Sequence, residues 1–291
     1  MVTQLAQRLS EASVKKSFDP MKTINWDEPF DLTRFYAKEA DISLYGTPLY
    51  ESLSREEKVR LSLHEVASLM ATGIWFENIL KHKFIAYLYD HDPNDANFRY
   101  MLHEVADECR HSMMFGEFVR RSGVPFYRVR WWAKWGGQFL KEAPVPRSAV
   151  FVGILAAEEI TDFFNRRAMI DPEVHSIVRD ISRIHVIEEA RHISYARSHL
   201  TEGFPRLGRA KQVRVSLLSA IVTGVIVSQL VSPEVYPTVG LPADAARLAR
   251  ENPHRRALLR EGGRKFVTYL EGIGLIRPST RWAWKATRLV G

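Results

Sequence analysis

Glu104-Val-Ala-Asp107-Glu108-Cys109-Arg110-His111-Ser112 and His185-Val-Ile-Glu188-Glu189-Ala-Arg191-His192-Ile193 are two copies of one pattern. Each contains Glu-x-x-His, as Glu108 with His111 and Glu189 with His192. Residues three apart share a face of a helix, so a carboxylate and an imidazole at this spacing can reach one metal ion. A single such pair arises by chance in many helices. Here the pair recurs, and Asp107/Glu188 and Arg110/Arg191 recur with it. The two motif glutamates are 81 positions apart (189 − 108), and Glu77 and Glu158 are separated by the same 81 (158 − 77). The shared offset predicts two pseudo-equivalent helical hairpins. Each gives one Glu from its first helix and Glu-x-x-His from its second. Together they make the donor set of a carboxylate-bridged dinuclear metal site inside a four-helix bundle.

The helix boundaries agree with that plan. Ser54 and Glu57 have capping-box spacing and open a long helix that runs to about residue 89. His-Asp-Pro-Asn-Asp-Ala-Asn (91–97) breaks it and caps a second helix, about 94–122, which stops at Gly123 with Pro125 beyond. Pro144 and Pro146 precede a third helix, about 147–170, and Asp171-Pro172 opens a fourth, about 172–201. No segment shows the alternation of a β-strand. The fold class is all-α, a ferritin-like four-helix bundle with additional helices. Residues 1–53, broken by Pro20, Pro29 and Pro48, are expected to be an irregular N-terminal arm. Residues 54–235 make the bundle, and 236–291 a basic C-terminal extension packing on it.

Composition excludes several classes. The 291 residues are 46% hydrophobic and 26% charged, which is neither disordered nor collagen-like. The net charge of +7 comes from 41 basic and 34 acidic residues, too balanced for a nucleic-acid binder. One cysteine, Cys109, allows neither an intrachain disulfide nor a Cys-built metal site. The first 18 residues lack the apolar run of a secretory signal, so a cytoplasmic protein is expected. The uncharged run 215–231 sits at the lower edge of a membrane span but carries several Ser and Thr. It is expected to be a buried helix, without stable membrane insertion.

On the second motif, His185 lies one turn before Glu189, and His185, Glu189 and His192 fall within ~60° on one face. The resulting pattern, Glu … Glu-x-x-His … Glu … His-x-x-x-Glu-x-x-His, resembles the AurF-type arylamine N-oxygenases over about residues 55–235. The resemblance implies that the extra histidine, His185, is a seventh ligand. The ligand set is then Glu77, Glu108, His111, Glu158, His185, Glu189 and His192. It further implies two iron ions, cycling between ferrous and ferric and bridged by an oxo or peroxo group, which activate O2 to oxidise an amine nitrogen. Manganese accepts the same donors. The implied partners are O2, a small-molecule substrate and an external electron donor. A homodimer is expected. A C–H hydroxylase or desaturase, or a ferroxidase, would need almost the same ligands.

Some positions stay open at this level. Glu158 competes with its neighbour Glu159, and Glu189 with Glu188; only the 81-residue offset chooses between them. Glu65 is the fallback for Glu77, on an expected partly exposed turn. Asp107, Glu188 and Glu104 are candidates to hold a ligating imidazole or arginine from behind. His64, His82, His91, His103, His175, His199 and His254 have no partner at ligand spacing. Cys109 is expected to be small and buried. Trp131, Trp132 and Trp135 are expected to pack between helices or to line a channel.

Overall fold

Ser54 starts the bundle in the computed structural model, which describes residues 2–143 and 145–291. Pro144, read above as preceding the third helix, lies outside the described residues. The Ser54 hydroxyl accepts from the Glu57 amide, and the Glu57 carboxylate accepts from the Ser54 amide at 2.8 Å. This reciprocal cap satisfies donors that a helix start leaves open. The arm carries α1 (Val2–Lys15), α2 (Pro20–Thr23) and α3 (Pro48–Glu51). Then follow α4 (Arg55–Leu88), α5 (Ala96–Ser122), α6 (Trp131–Glu142), α7 (Arg147–Ile170), α8 (Ser176–Gly203) and α9 (Arg209–Gln229). The chain closes with α10 (Val235–Thr238), α11 (Ala245–Glu251), α12 (Pro253–Gly272) and α13 (Arg281–Ala286). Helices α4 and α5 pack as one hairpin and α7 and α8 as a second; α5 meets α8 and α4 meets α7. This is the expected four-helix bundle.

Two apolar cores sandwich a polar belt. On α4, Val59 to Ala71 belong to one core and Leu80 to Leu88 to the other, with Glu77 between them. On α5, Tyr100 and Met101 lie on one side of the motif, and Met114 to Val119 on the other. On α8, Ile177 to Ile184 precede the motif and Tyr195 to Leu200 follow it. Each helix thus changes core at its charged segment. Buried charges at that level need partners or metal.

Four expectations need correction. The arm opens with a helix rather than irregular chain: α1 packs on α5 and α8 through Ala6, Ser10 and Ser13. These residues are small, and two are polar, so hydrophobic periodicity does not reveal the stripe. Helix α8 starts at Ser176, not near Pro172, because the preceding residues pair with the arm. The Phe35 amide donates to the Glu173 carbonyl at 3.2 Å, and the His175 amide donates to the Phe35 carbonyl at 2.7 Å. Helix α9, long and apolar enough by length and composition to cross a membrane, is only partly buried. It buries Ser216, Ser219 and Thr223 against its neighbours and leaves Ile221 exposed. Small side chains let it approach α7 closely; Val222 sits 3.3 Å from where a Cβ on Gly153 would be. Finally, Trp131 and Trp135 are 74% and 71% exposed, so they neither pack nor line a channel.

The C-terminal extension is anchored by Trp284. Its ring is fully buried, and its indole N–H donates to the Ser216 hydroxyl at 3.0 Å. Trp282 stays exposed.

Candidate metal centre

The six residues singled out by spacing, and His185, which the family resemblance added, meet in the belt between the two cores. Donor atoms of Glu77, His111 and His185 lie within 4.8 Å of one another, as do those of Glu108, Glu158, Glu189 and His192. All seven are buried. The two groups adjoin through Glu108 and Glu189. His111 Nδ1 lies 3.1 Å from Glu108 and 3.3 Å from Glu189. His192 Nδ1 lies 3.2 Å from the other Glu108 oxygen and 3.0 Å from the other Glu189 oxygen. Glu108 and Glu189 therefore sit between the imidazoles, and Glu77 and Glu158 lie outside them.

The repeated acids behind the motifs brace the histidines across the hairpins. His111 on α5 donates from Nε2 to Glu188 on α8 at 2.9 Å. His192 on α8 directs Nε2 at Asp107 on α5 at 3.3 Å. Each brace fixes the ring so that Nδ1 faces the carboxylates, which settles tautomer and orientation together. Asp107 also accepts from Arg191 at 3.0 Å and from Arg110. Burial alone would raise Asp107, but the His192 and Arg191 contacts outweigh it and hold the group down at about 2. His185 has a different support: its Nδ1 lies 3.0 Å from the Asn165 amide, and its Nε2 lies 3.2 Å from Glu189.

The competing glutamates have other partners. Glu159 takes a two-pronged contact from Arg197 at 2.8 and 2.7 Å. Glu65 is buried rather than half-exposed, and accepts from the Ser43 amide at 3.0 Å. Cys109 is exposed, not buried, since it falls between the two motif positions on the outer face of α5. The remaining histidines are structural where their contacts are seen: His175 caps α8, and His254 reaches the Ala40 carbonyl at 2.7 Å.

Spacing missed two supports. Ser112 donates to Glu77 at 2.6 Å, and Lys81 donates to Ser112 at 2.6 Å. Lys81 lies one turn after Glu77, a signal that was available but not distinctive. It also missed Gly73, where a Cβ would stand 2.9 Å from the Phe115 ring. Glycine inside a helix costs up to about 1 kcal/mol, and here it admits a ring that lines the cavity beside the belt.

The donor set fits two cations. Burial pushes Glu77 and Glu158 well above the ordinary carboxylate range, and the facing Glu108 and Glu189 add to it. Both oxygens of Glu158 are buried without a hydrogen-bond partner. Burial also acts upward on Glu108, but hydrogen bonds from His111 and His192 outweigh it and hold the group low. For His111, burial acts downward but the contacts to Glu108 and Glu188 win, so the imidazole is raised well above its ordinary value. Protons thus compensate charges that four carboxylates bring into a dry interior. Two divalent ions would replace those protons and match four negative charges. A cavity of about 150 Å³ reaches this belt; Val66, Leu69, Met70, Phe76 and Phe115 line it, with Arg255 and Glu65 on its wall.

Uncharacterized proteins of Mycobacterium bovis and Mycobacterium tuberculosis are similar to this chain, each 29% identical over 99% of it and 87% of their own length. Among solved structures, R2-like ligand-binding oxidases align over 98% of the chain at 15% identity. One, with an aerobically reconstituted metal cofactor, has a TM-score of 0.44 over 90% of its length. Another, with a Mn/Fe cofactor, has 0.46 over 93%. Residues 2–274 match the family described as P-aminobenzoate N-oxygenase AurF. With that match over nearly its whole length and buried carboxylate–imidazole clusters suited to a metal pair, the chain belongs to the AurF family, a di-metal oxygenase or oxidase.

Proposed function

We propose that the protein is a non-haem di-iron oxygenase that uses O2 and an external electron donor to oxidise the nitrogen of a small arylamine. The observation that carries this reading is the buried seven-donor belt opening on an apolar cavity, in a chain of the AurF family. Glu77, His111 and His185 would hold one iron, and Glu158 and His192 the other, with Glu108 and Glu189, which contact His111 and His192 alike, as the remaining donors. Iron suits such mixed carboxylate and imidazole ligation, and manganese tolerates it. When bound, the metal pair supplies the redox chemistry that activates O2.

The chain's own residues supply geometry and dryness. Asp107 and Glu188 orient the imidazoles, while the apolar layers on both sides of the belt keep water out. Phe76 and Phe115 line the cavity, where an aromatic substrate would meet them beside the carboxylates. One oxygenation turns R–NH2, O2, two electrons and two protons into R–NHOH and water. The electrons come from outside, since the sequence carries no Gly-rich dinucleotide fingerprint.

The test is elemental analysis of protein expressed with iron, followed by reaction of the reduced protein with O2 and a panel of arylamines and acyl compounds. The expected outcome is about two irons per chain and a hydroxylamine or nitro product. Products from acyl compounds alone would make it a C–H hydroxylase or desaturase. Iron oxidation without organic product, in a large assembly on size exclusion, would make it a ferroxidase. The same chromatography reads out the homodimer.

A further inference from the structure

A second groove, of about 540 Å³, lies between the C-terminal extension and the end of α9. Six arginines line it, namely Arg130, Arg247, Arg250, Arg255, Arg256 and Arg288, and among the described residues no acidic one does. Six positive charges in one groove nearly equal the net +7 of the whole chain. Two of the six are already answered. Arg247 pairs with Asp244 at 3.1 Å and Glu251 at 3.0 Å. Arg255 donates to the Asp41 carbonyl and faces buried Glu65. For Arg130, Arg250, Arg256 and Arg288, no carboxylate of the described residues lies within ion-pair distance.

The groove draws like charges together rather than letting them separate. Arg256 donates from Nε and Arg288 from Nη1 to the same Arg250 carbonyl, each at 3.2 Å. Arg288 is also, among the described residues, the non-glycine residue with positive φ, at 65°. A left-handed conformation costs an ordinary side chain about 1 kcal/mol or more. Two guanidinium groups thus converge on one carbonyl, one of them carried by a strained backbone position, and that convergence concentrates positive charge at one point of the groove.

The rest of the lining mixes the apolar Val227, Leu259 and Pro233 with the hydroxyl-bearing Ser43, Ser228, Tyr236 and Thr287. Leu230, Val231 and Arg255 are shared with the cavity beside the metal belt, so the two spaces are separated only by a common wall. We propose that this groove binds the phosphate of a phosphorylated organic molecule, with Arg250, Arg256 and Arg288 on the phosphate oxygens and the apolar part of the ligand along Val227 and Leu259. A dianionic phosphate matches forked guanidinium donors better than a single carboxylate, and the apolar floor distinguishes a phosphate ester from free phosphate.

Calorimetric titration of the full-length protein tests it, with inorganic phosphate and octyl phosphate as probes. Binding is read with metal absent as well as present, so its outcome does not depend on any oxidation chemistry. Octyl phosphate is expected to bind at least about tenfold more tightly than inorganic phosphate, because its chain covers apolar surface. The Arg250→Gln/Arg288→Gln double variant is expected to weaken both probes about tenfold or more. Arg247→Gln, in the same groove but already paired, is expected to change binding less than about threefold. Circular dichroism melts check that each variant is folded. Absence of binding at ~10 mM phosphate ester, equal affinity for the two probes, or an Arg247→Gln loss as large as that of the double variant would overturn the assignment.

Discussion

The hairpins α4–α5 and α7–α8 present the same carboxylates and imidazoles at the same offsets, yet they surround them differently. Where the second hairpin has His185, the first has Glu104, fully buried with neither oxygen hydrogen-bonded. Where the first has Ser112 donating to Glu77, the second has Ile193, and Glu158 accepts no hydrogen bond and has only His192 Nδ1 at 4.0 Å. Where the first has Lys81 behind that serine, the second has Asp162, tied to Arg166 at 2.7 Å. A duplicated scaffold has therefore produced two unequal halves. One group of donors has two imidazoles with Glu77; the other has one imidazole among three carboxylates. The braces remain symmetric while the donors do not, so the histidine geometry and the donor chemistry can be broken separately.

The largest expected effect falls on what the halves share. Glu108→Ala or Glu189→Ala removes a group that touches both imidazoles, and elemental analysis should find well under one metal ion per chain. Glu158→Ala touches one half and should leave about one ion. A Glu108→Ala protein that kept one ion at undiminished affinity would show that Glu108 belongs to one half alone.

The next effect isolates Glu104, the first hairpin's counterpart of His185. Burial, followed by the nearby Glu108 and Glu189, raises its carboxyl to about 8, although His192 opposes the shift. Its ordinary value is 4.5. Between those values the folded chain holds a proton that the unfolded chain has released. Stability from this group is full below pH 4.5 and is lost as pH rises towards 8. Urea melts of metal-free protein should show a wild-type loss of about 3 to 5 kcal/mol across that window, relative to Glu104→Gln. Parallel pH profiles for the two proteins would mean that Glu104 finds a partner in solution.

The braces come third. Asp107→Asn should weaken metal binding in the half that holds His192, and Glu188→Gln in the half that holds His111, each by roughly 10- to 100-fold. The two losses should be similar, since the braces are the symmetric part. Metal titration monitored at each site reads this out. A strongly unequal pair would place the asymmetry in the histidines as well.

How much of this the sequence disclosed depends on the kind of signal. The four long helices and six of the converging residues were legible, because caps, breakers and a repeated offset act over short, regular distances; His185 breaks the repeat and was legible only through the resemblance to a family. Asp107 and Glu188 were legible as candidates, because they repeat at the same position of the motif. The N-terminal helix was not, because its buried stripe is Ala6, Ser10 and Ser13 rather than large apolar residues. The late start of α8 was hidden because Phe35, far away in sequence, takes the backbone groups of Glu173 and His175. The partners of Glu65 and Glu159, Ser43 and Arg197, come from other segments and leave no local periodicity.

The smallest expected effect concerns the support that only Glu77 has. Ser112 donates to the Glu77 oxygen and is itself held by Lys81, so it both positions the carboxylate and favours its charged form. Ser112→Ala should raise the Glu77 carboxyl further, since burial already pushes it up and one opposing hydrogen bond is gone. A single hydrogen bond of this kind is worth about 1 kcal/mol, so metal affinity in that half should fall by about fivefold at neutral pH. The loss should shrink as pH rises, because the carboxylate then ionises without help. Ile193→Ser, the reciprocal change, should offer Glu158 the same hydroxyl and strengthen the other half by a similar factor. If Ile193→Ser has no effect while Ser112→Ala does, Lys81 is the active part of the support, since the second hairpin has Asp162 in its place.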